Sequence, residues 1–133
     1  MDRLFLDANV LFSAAYRPNA GLLRFWKLTN VILCASHYVV EEAKINLAEE
    51  VQRRRLARLA RSLQFFDATP RQLPDRISLP EKDWPVLFAA MDARATHLIT
   101  GDLRHFGPYF GKTIEGILIV TPARYLKMRQ PSR

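Results

Sequence analysis

Five short apolar runs recur along the chain: Leu4-Phe5-Leu6, Val31-Ile32-Leu33-Cys34-Ala35, the brief Gln64-Phe65-Phe66, His97-Leu98-Ile99-Thr100 and Ile117-Leu118-Ile119-Val120. Within them the apolar residues are continuous rather than alternating, the pattern of strands covered on both faces. Between them the pattern turns helical. Val10 to Ala15 reads as a short helix, and Gly21-Leu22-Leu23-Arg24-Phe25-Trp26 opens another. Residues 37–63 are rich in the helix formers Ala, Leu, Glu and Arg and make one helix or two. Pro85-Val86-Leu87-Phe88-Ala89-Ala90-Met91 begins a further helix, with proline tolerated in its first turn. Strands alternating with helices predict an α/β fold with a mostly parallel sheet.

Composition narrows the class. A length of 133 residues suits a single domain spanning 1–133, with its core at about 3–127 and a frayed tail over 128–133. With 49% apolar and 25% charged residues, wholesale disorder is excluded. No apolar stretch approaches the ~18 residues of a membrane span. Met1-Asp2-Arg3-Leu4 opens no basic leader with a long apolar core, so no signal peptide is expected. The single cysteine, Cys34, excludes an internal disulfide and a cysteine-based zinc site, and a cytoplasmic setting is expected. The segment from Thr69 to Pro80 carries three of the eight prolines and reads as a surface connection rather than a domain boundary.

Charge changes the picture. There are 20 Lys and Arg against 13 Asp and Glu, net +7, which suits an anionic partner such as nucleic acid. Asp7 directly follows the first strand and Asp102 follows the fourth, in Thr100-Gly101-Asp102. Open parallel sheets bind ligands beyond the carboxyl ends of their strands. Glu41 and Glu42 lie early in the helix after the second strand, and Asp83 precedes the helix that feeds the fourth. Each has a plain alternative: Asp7 and Asp83 as helix caps, Asp102 as a turn residue, the glutamates as a solvated face. Together, acids from four segments meet at one rim. Clustered carboxylates repel unless protonated or metal-bound, so one divalent ion, or two held ~3.5–4 Å apart, would relieve them. Four acids there leave nine elsewhere against 20 basic residues, a balance of +11 that suits a polyanionic substrate.

The same residues carry a resemblance. Phe5-Leu6-Asp7-Ala8-Asn9-Val10-Leu11 resembles the opening of PIN-domain proteins, and Ser36-His37-Tyr38-Val39-Val40-Glu41-Glu42 their second motif. Asp83-Trp84-Pro85-Val86-Leu87-Phe88-Ala89-Ala90 resembles the third, Leu98 to Phe106 the fourth, and Ile119 to Leu126 the closing strand and helix. The resemblance implies a five-stranded parallel sheet of order 3-2-1-4-5 with helices on both faces. It implies Mg²⁺- or Mn²⁺-dependent cleavage of RNA, leaving 5′-phosphate and 3′-hydroxyl ends. Many small bacterial members are toxins of VapBC-type toxin–antitoxin pairs, often homodimeric and neutralised by a small antitoxin. Carried over, the catalytic and metal-binding acids are Asp7, Glu42, Asp83 and Asp102, supported by Asn9 and Thr100. Helical periodicity does not choose between Glu41 and Glu42; the family spacing favours Glu42. Where many members carry a further acid two residues after the fourth, this chain has Arg104.

Candidate substrate contacts are Arg53, Arg55 and Arg58 in a basic helical run, with Arg104 and His105 after the fourth acid. The run also reads as a solvated face, or as a contact for an acidic antitoxin. Two other functions compete. A phosphatase of the haloacid dehalogenase type also starts strand-Asp, but its second acid would fall where Asn9 stands. A PIN-like domain that binds RNA or protein without cutting is the other.

Overall fold

The computed structural model describes residues 1–129. Six strands form one sheet: β1 (Asp2–Leu6), β2 (Val31–Ala35), β3 (Gln64–Phe65), β4 (His97–Ile99), β5 (Thr113–Ile114) and β6 (Ile117–Val120). Five helices flank it: α1 (Ala8–Ala15), α2 (His37–Asn46), α3 (Glu50–Ala60), α4 (Trp84–Asp92) and α5 (Pro122–Met128).

The strand order is β3-β2-β1-β4-β6-β5. Its first five members are parallel to their neighbours and reproduce the expected 3-2-1-4-5 order. Leu4, Phe5 and Leu6 of central β1 are fully buried, as a continuous apolar run requires. The unforeseen sixth strand, β5, pairs antiparallel with β6. Glu115 (φ 50°) and Gly116 (φ 82°) form its two-residue turn, and positive φ at both positions is the backbone of a tight hairpin.

The order reverses beside β1, because β2 and β4 lie on its two sides. The amide of Asp7 continues the β1–β4 ladder, donating to the Ile99 carbonyl at 3.0 Å. The carboxyl ends of β1 and β4 therefore open side by side at the switch point, where α/β sheets bind ligands.

Residues 37–63 form two helices, not one. α2 stops at Asn46, and Leu47 turns out of helical geometry to bury its side chain in the core. α3 then restarts through a capping box in which Glu49 and Gln52 exchange side-chain and backbone bonds. The stretch Gly21–Lys27 is a 3-10 helix rather than an α-helix. Its Trp26 donates to the Leu59 carbonyl at 3.0 Å and so ties the segment to α3. Of the tail expected to fray, Met128 closes α5 and Arg129 donates to the Thr29 carbonyl; residues 130–133 lie outside the described residues. Among the described residues no helix is long and apolar enough to cross a membrane.

Candidate functional site

Asp7 sits where β1 becomes α1, and its carboxylate is held at both oxygens. One oxygen, Oδ1, accepts from the Ala8 amide at 2.7 Å and caps the helix. The other, Oδ2, accepts from the Thr100 hydroxyl at 2.9 Å and from the Asn9 amide at 3.3 Å. The residue is only 5% exposed. Burial raises its pKa to about 6, with the charges of Glu42 and Asp83 acting the same way, against the bonds from Thr100 and Ala8.

Asp102 follows β4 through Thr100 and Gly101. The Gly101 amide donates to Asn9 Oδ1 at 2.8 Å, and the Asp102 amide to Thr100 Oγ1 at 3.1 Å. A Cβ on Gly101 would come within 3.3 Å of Asn9 Oδ1, so a larger residue would press on this link. Asp102 Oδ1 accepts from the His105 amide at 3.0 Å and fixes the turn; Asp102 Oδ2 lies 3.1 Å from His105 Nδ1.

Asp83 stands at the start of α4 but makes no capping bond. A 3-10 turn over Glu81–Asp83 runs straight into the helix, so Asp83 has helical backbone angles (φ −96°, ψ −9°) rather than the extended ones a capping residue adopts. Its Oδ2 is buried without a hydrogen bond. Burial raises its pKa, an effect that His105 opposes and the charge of Asp102 reinforces.

These side chains line one cleft of about 520 Å³, with Asp7, Asn9, Glu42, Asp83 and Asp102 on its walls and Lys82 at its edge. Glu42 lines it and Glu41 does not. Tyr38 registers the local field: burial, then the charges of Glu42, Asp83 and Asp7, push its phenol pKa up. The donor set is rich in carboxylate oxygen, two of its acids are held reluctant to ionise, and one oxygen is orphaned. That chemistry fits a hard divalent cation.

The family model of the PIN domain matches residues 3–104. The chain belongs to the PIN-domain family. All four acids of the cleft fall inside that match. No curated relative matches the sequence. Among solved structures, the fold matches a chain of VapBC2 from Rickettsia felis bound to a DNA fragment from its promoter, with a TM-score of 0.62 at 13% identity. The alignment covers 90% of this chain and 98% of that one.

Not every residue singled out in the PIN sequence reaches the cleft. Arg53, Arg55 and Arg58 do not line it. Arg53 donates to the Leu47 carbonyl at 2.7 Å and pairs with Glu50. Arg55 donates to the carbonyls of Ala15 and Tyr16, at the end of α1. Arg58 lines a separate hollow with Pro18 and Trp26. Arg104 is exposed. His105 does not line the cleft either, but it touches two of the cleft's acids. Its Nδ1 lies 2.9 Å from Asp83 Oδ2 and 3.1 Å from Asp102 Oδ2. Sequence spacing hides this, because Asp83 is remote in the chain and His105 has no metal-ligand repeat.

Proposed function

We propose that the chain is a Mg²⁺- or Mn²⁺-dependent endoribonuclease, the toxin component of a toxin–antitoxin pair. One observation carries the hydrolytic reading: a buried carboxylate at the sheet's switch point, its pKa raised to about 6, shares a cleft with three further acids from separate segments. A protein spends stability on such repulsion where a cation is to be bound.

Asp7, Glu42, Asp83 and Asp102 would hold the ion, which would polarise the scissile phosphate and activate the attacking water. The chain's own groups prepare the ground. Asp7 is fixed at both oxygens by Ala8, Thr100 and Asn9, so it meets a ligand without reorganising. Lys82 at the edge of the cleft offsets charge on an entering phosphate. The basic balance elsewhere attracts the RNA backbone. Support for the toxin reading comes from the PIN family match and from the fold shared with a VapBC2 chain. In that reading the protein acts in the cytoplasm, forms a homodimer and is neutralised by a small antitoxin.

The test is cleavage of a panel of unstructured and stem-loop RNAs by the purified chain with Mg²⁺, Mn²⁺ or EDTA. Cutting with either metal, abolished by EDTA and by a folded Asp7→Asn protein, is expected. Binding without cutting across the panel would leave a recognition domain instead. Expression without a neighbouring antitoxin gene should arrest host growth, and co-expression should restore it; normal growth with abundant soluble protein counts against the toxin role.

A further inference from the structure

The turn that follows β4 draws His105 against two of the cleft's acids. The turn closes with the Phe106 amide donating to the Asp102 carbonyl at 3.1 Å, and Phe106 is fully buried beneath it. Leu103 and Arg104 point outward, so position 105 alone in this turn sends a side chain back between two acids. The family match ends at residue 104, one position before it.

The imidazole pairs with both acids, and the three donor atoms also converge closely enough to share one ion. His105 Nδ1 is close to Asp83 Oδ2 (2.9 Å) and Asp102 Oδ2 (3.1 Å), yet both Nδ1 and Asp83 Oδ2 are buried with no aligned hydrogen bond. Buried polar atoms are rarely left so. One donor atom from each of the three residues falls within 4.8 Å of the others. Separations near 3 Å are those of neighbouring vertices in an octahedron with ~2.1 Å bonds.

We propose that His105 is itself a ligand of the divalent ion, adding a nitrogen donor to Asp83 and Asp102 and shifting the site's preference from Mg²⁺ toward Mn²⁺ and later transition-metal ions. Carboxylate and water suit Mg²⁺ and Mn²⁺ alike, whereas imidazole suits the later transition metals; of the first two, the softer Mn²⁺ accepts a nitrogen donor more readily. The inference rests on the metal-dependent reading of the cleft and adds the identity of a ligand to it.

The experiment is pulsed electron paramagnetic resonance of Mn²⁺ bound to the full chain, read for ¹⁴N modulation. It is joined by calorimetric titration of Mn²⁺ and Mg²⁺ into the native protein, His105→Gln and His105→Asp. Native protein should show nitrogen modulation that His105→Gln loses. Mn²⁺ affinity should fall at least ~10-fold in His105→Gln, with a smaller change for Mg²⁺. His105→Asp should favour Mg²⁺ relative to the native chain. Mn²⁺ bound without nitrogen modulation would overturn the ligand role and leave the nuclease reading standing; so would modulation that persists in His105→Gln. Absence of any Mn²⁺ binding would remove both. The native spectrum decides even where a variant fails to fold.

Discussion

The Thr100 hydroxyl joins the ends of two strands: it donates to Asp7 Oδ2 at 2.9 Å and accepts from the Asp102 amide at 3.1 Å. It is fully buried. One side chain thus restrains one acid directly and the backbone of another. Thr100→Val keeps the shape and removes the hydroxyl. The Asp7 pKa should then rise above about 6, because the bond from Thr100 opposes the effect of burial. Half-saturation with Mn²⁺ should move to higher pH, and stability should fall by about 1–3 kcal/mol. A pH series of calorimetric titrations checks the first, thermal unfolding the second.

Asp7 makes the metal-free chain less stable as pH rises. Its folded pKa of about 6 exceeds the ordinary value of 3.8, so between those two values the folded state binds more protons than the unfolded one. Asp7's contribution to stability is full below pH ~4, declines as pH rises through about 6 and stays lower above. In the absence of metal, Asp7→Asn should therefore be more stable than the native chain at pH 7.5, by up to about 2–3 kcal/mol, and similar to it at pH 4. Adding Mn²⁺ should stabilise the native chain and not the variant. A variant less stable at pH 7.5 would mean that the carboxylate is not penalised there.

Glu42 faces the cleft and Glu41 does not. Glu42→Gln should lower the rate of metal-dependent RNA cleavage by about 10–100-fold, while Glu41→Gln leaves it near the native value. Equal losses from both substitutions would argue for a general charge effect of α2 rather than a ligand.

Arg55 ties α3 to the end of α1 by donating to the carbonyls of Ala15 and Tyr16 at 2.9 and 3.2 Å. A cation at a helix C-terminus is favourable, and bonds from charged donors are stronger than neutral ones. Arg55→Ala should cost about 1.5–3 kcal/mol of stability and leave the salt dependence of RNA binding unchanged. A shallower salt slope with unaltered stability would return Arg55 to the substrate surface.

The parallel sheet was legible because buried strands announce themselves as unbroken apolar runs, as in Leu4 to Leu6 and Ile117 to Val120. Asp7 and Asp102 were legible because topology alone places residues after β1 and β4 side by side. Glu42 needed the fold: α2 is short and exposed on much of its surface, so its pattern does not mark an inward face. The surroundings of His105 and of the two arginines of α3 were not legible, for one reason. Their partners are fixed by tertiary approach, Asp83 from the start of α4 and the carbonyls of Leu47, Ala15 and Tyr16, and no local spacing encodes that. β5 escaped because two residues around a tight turn are too few to show a period.

Both borders of the sheet, β3 on one side and β5 on the other, are two residues long. A foreign strand zipping onto such a border would find almost no ladder to extend, which protects against runaway stacking into fibrils. Any pairing of two copies must accordingly dock through helices or loops, and so is open to disruption by side-chain changes there without disturbing the sheet.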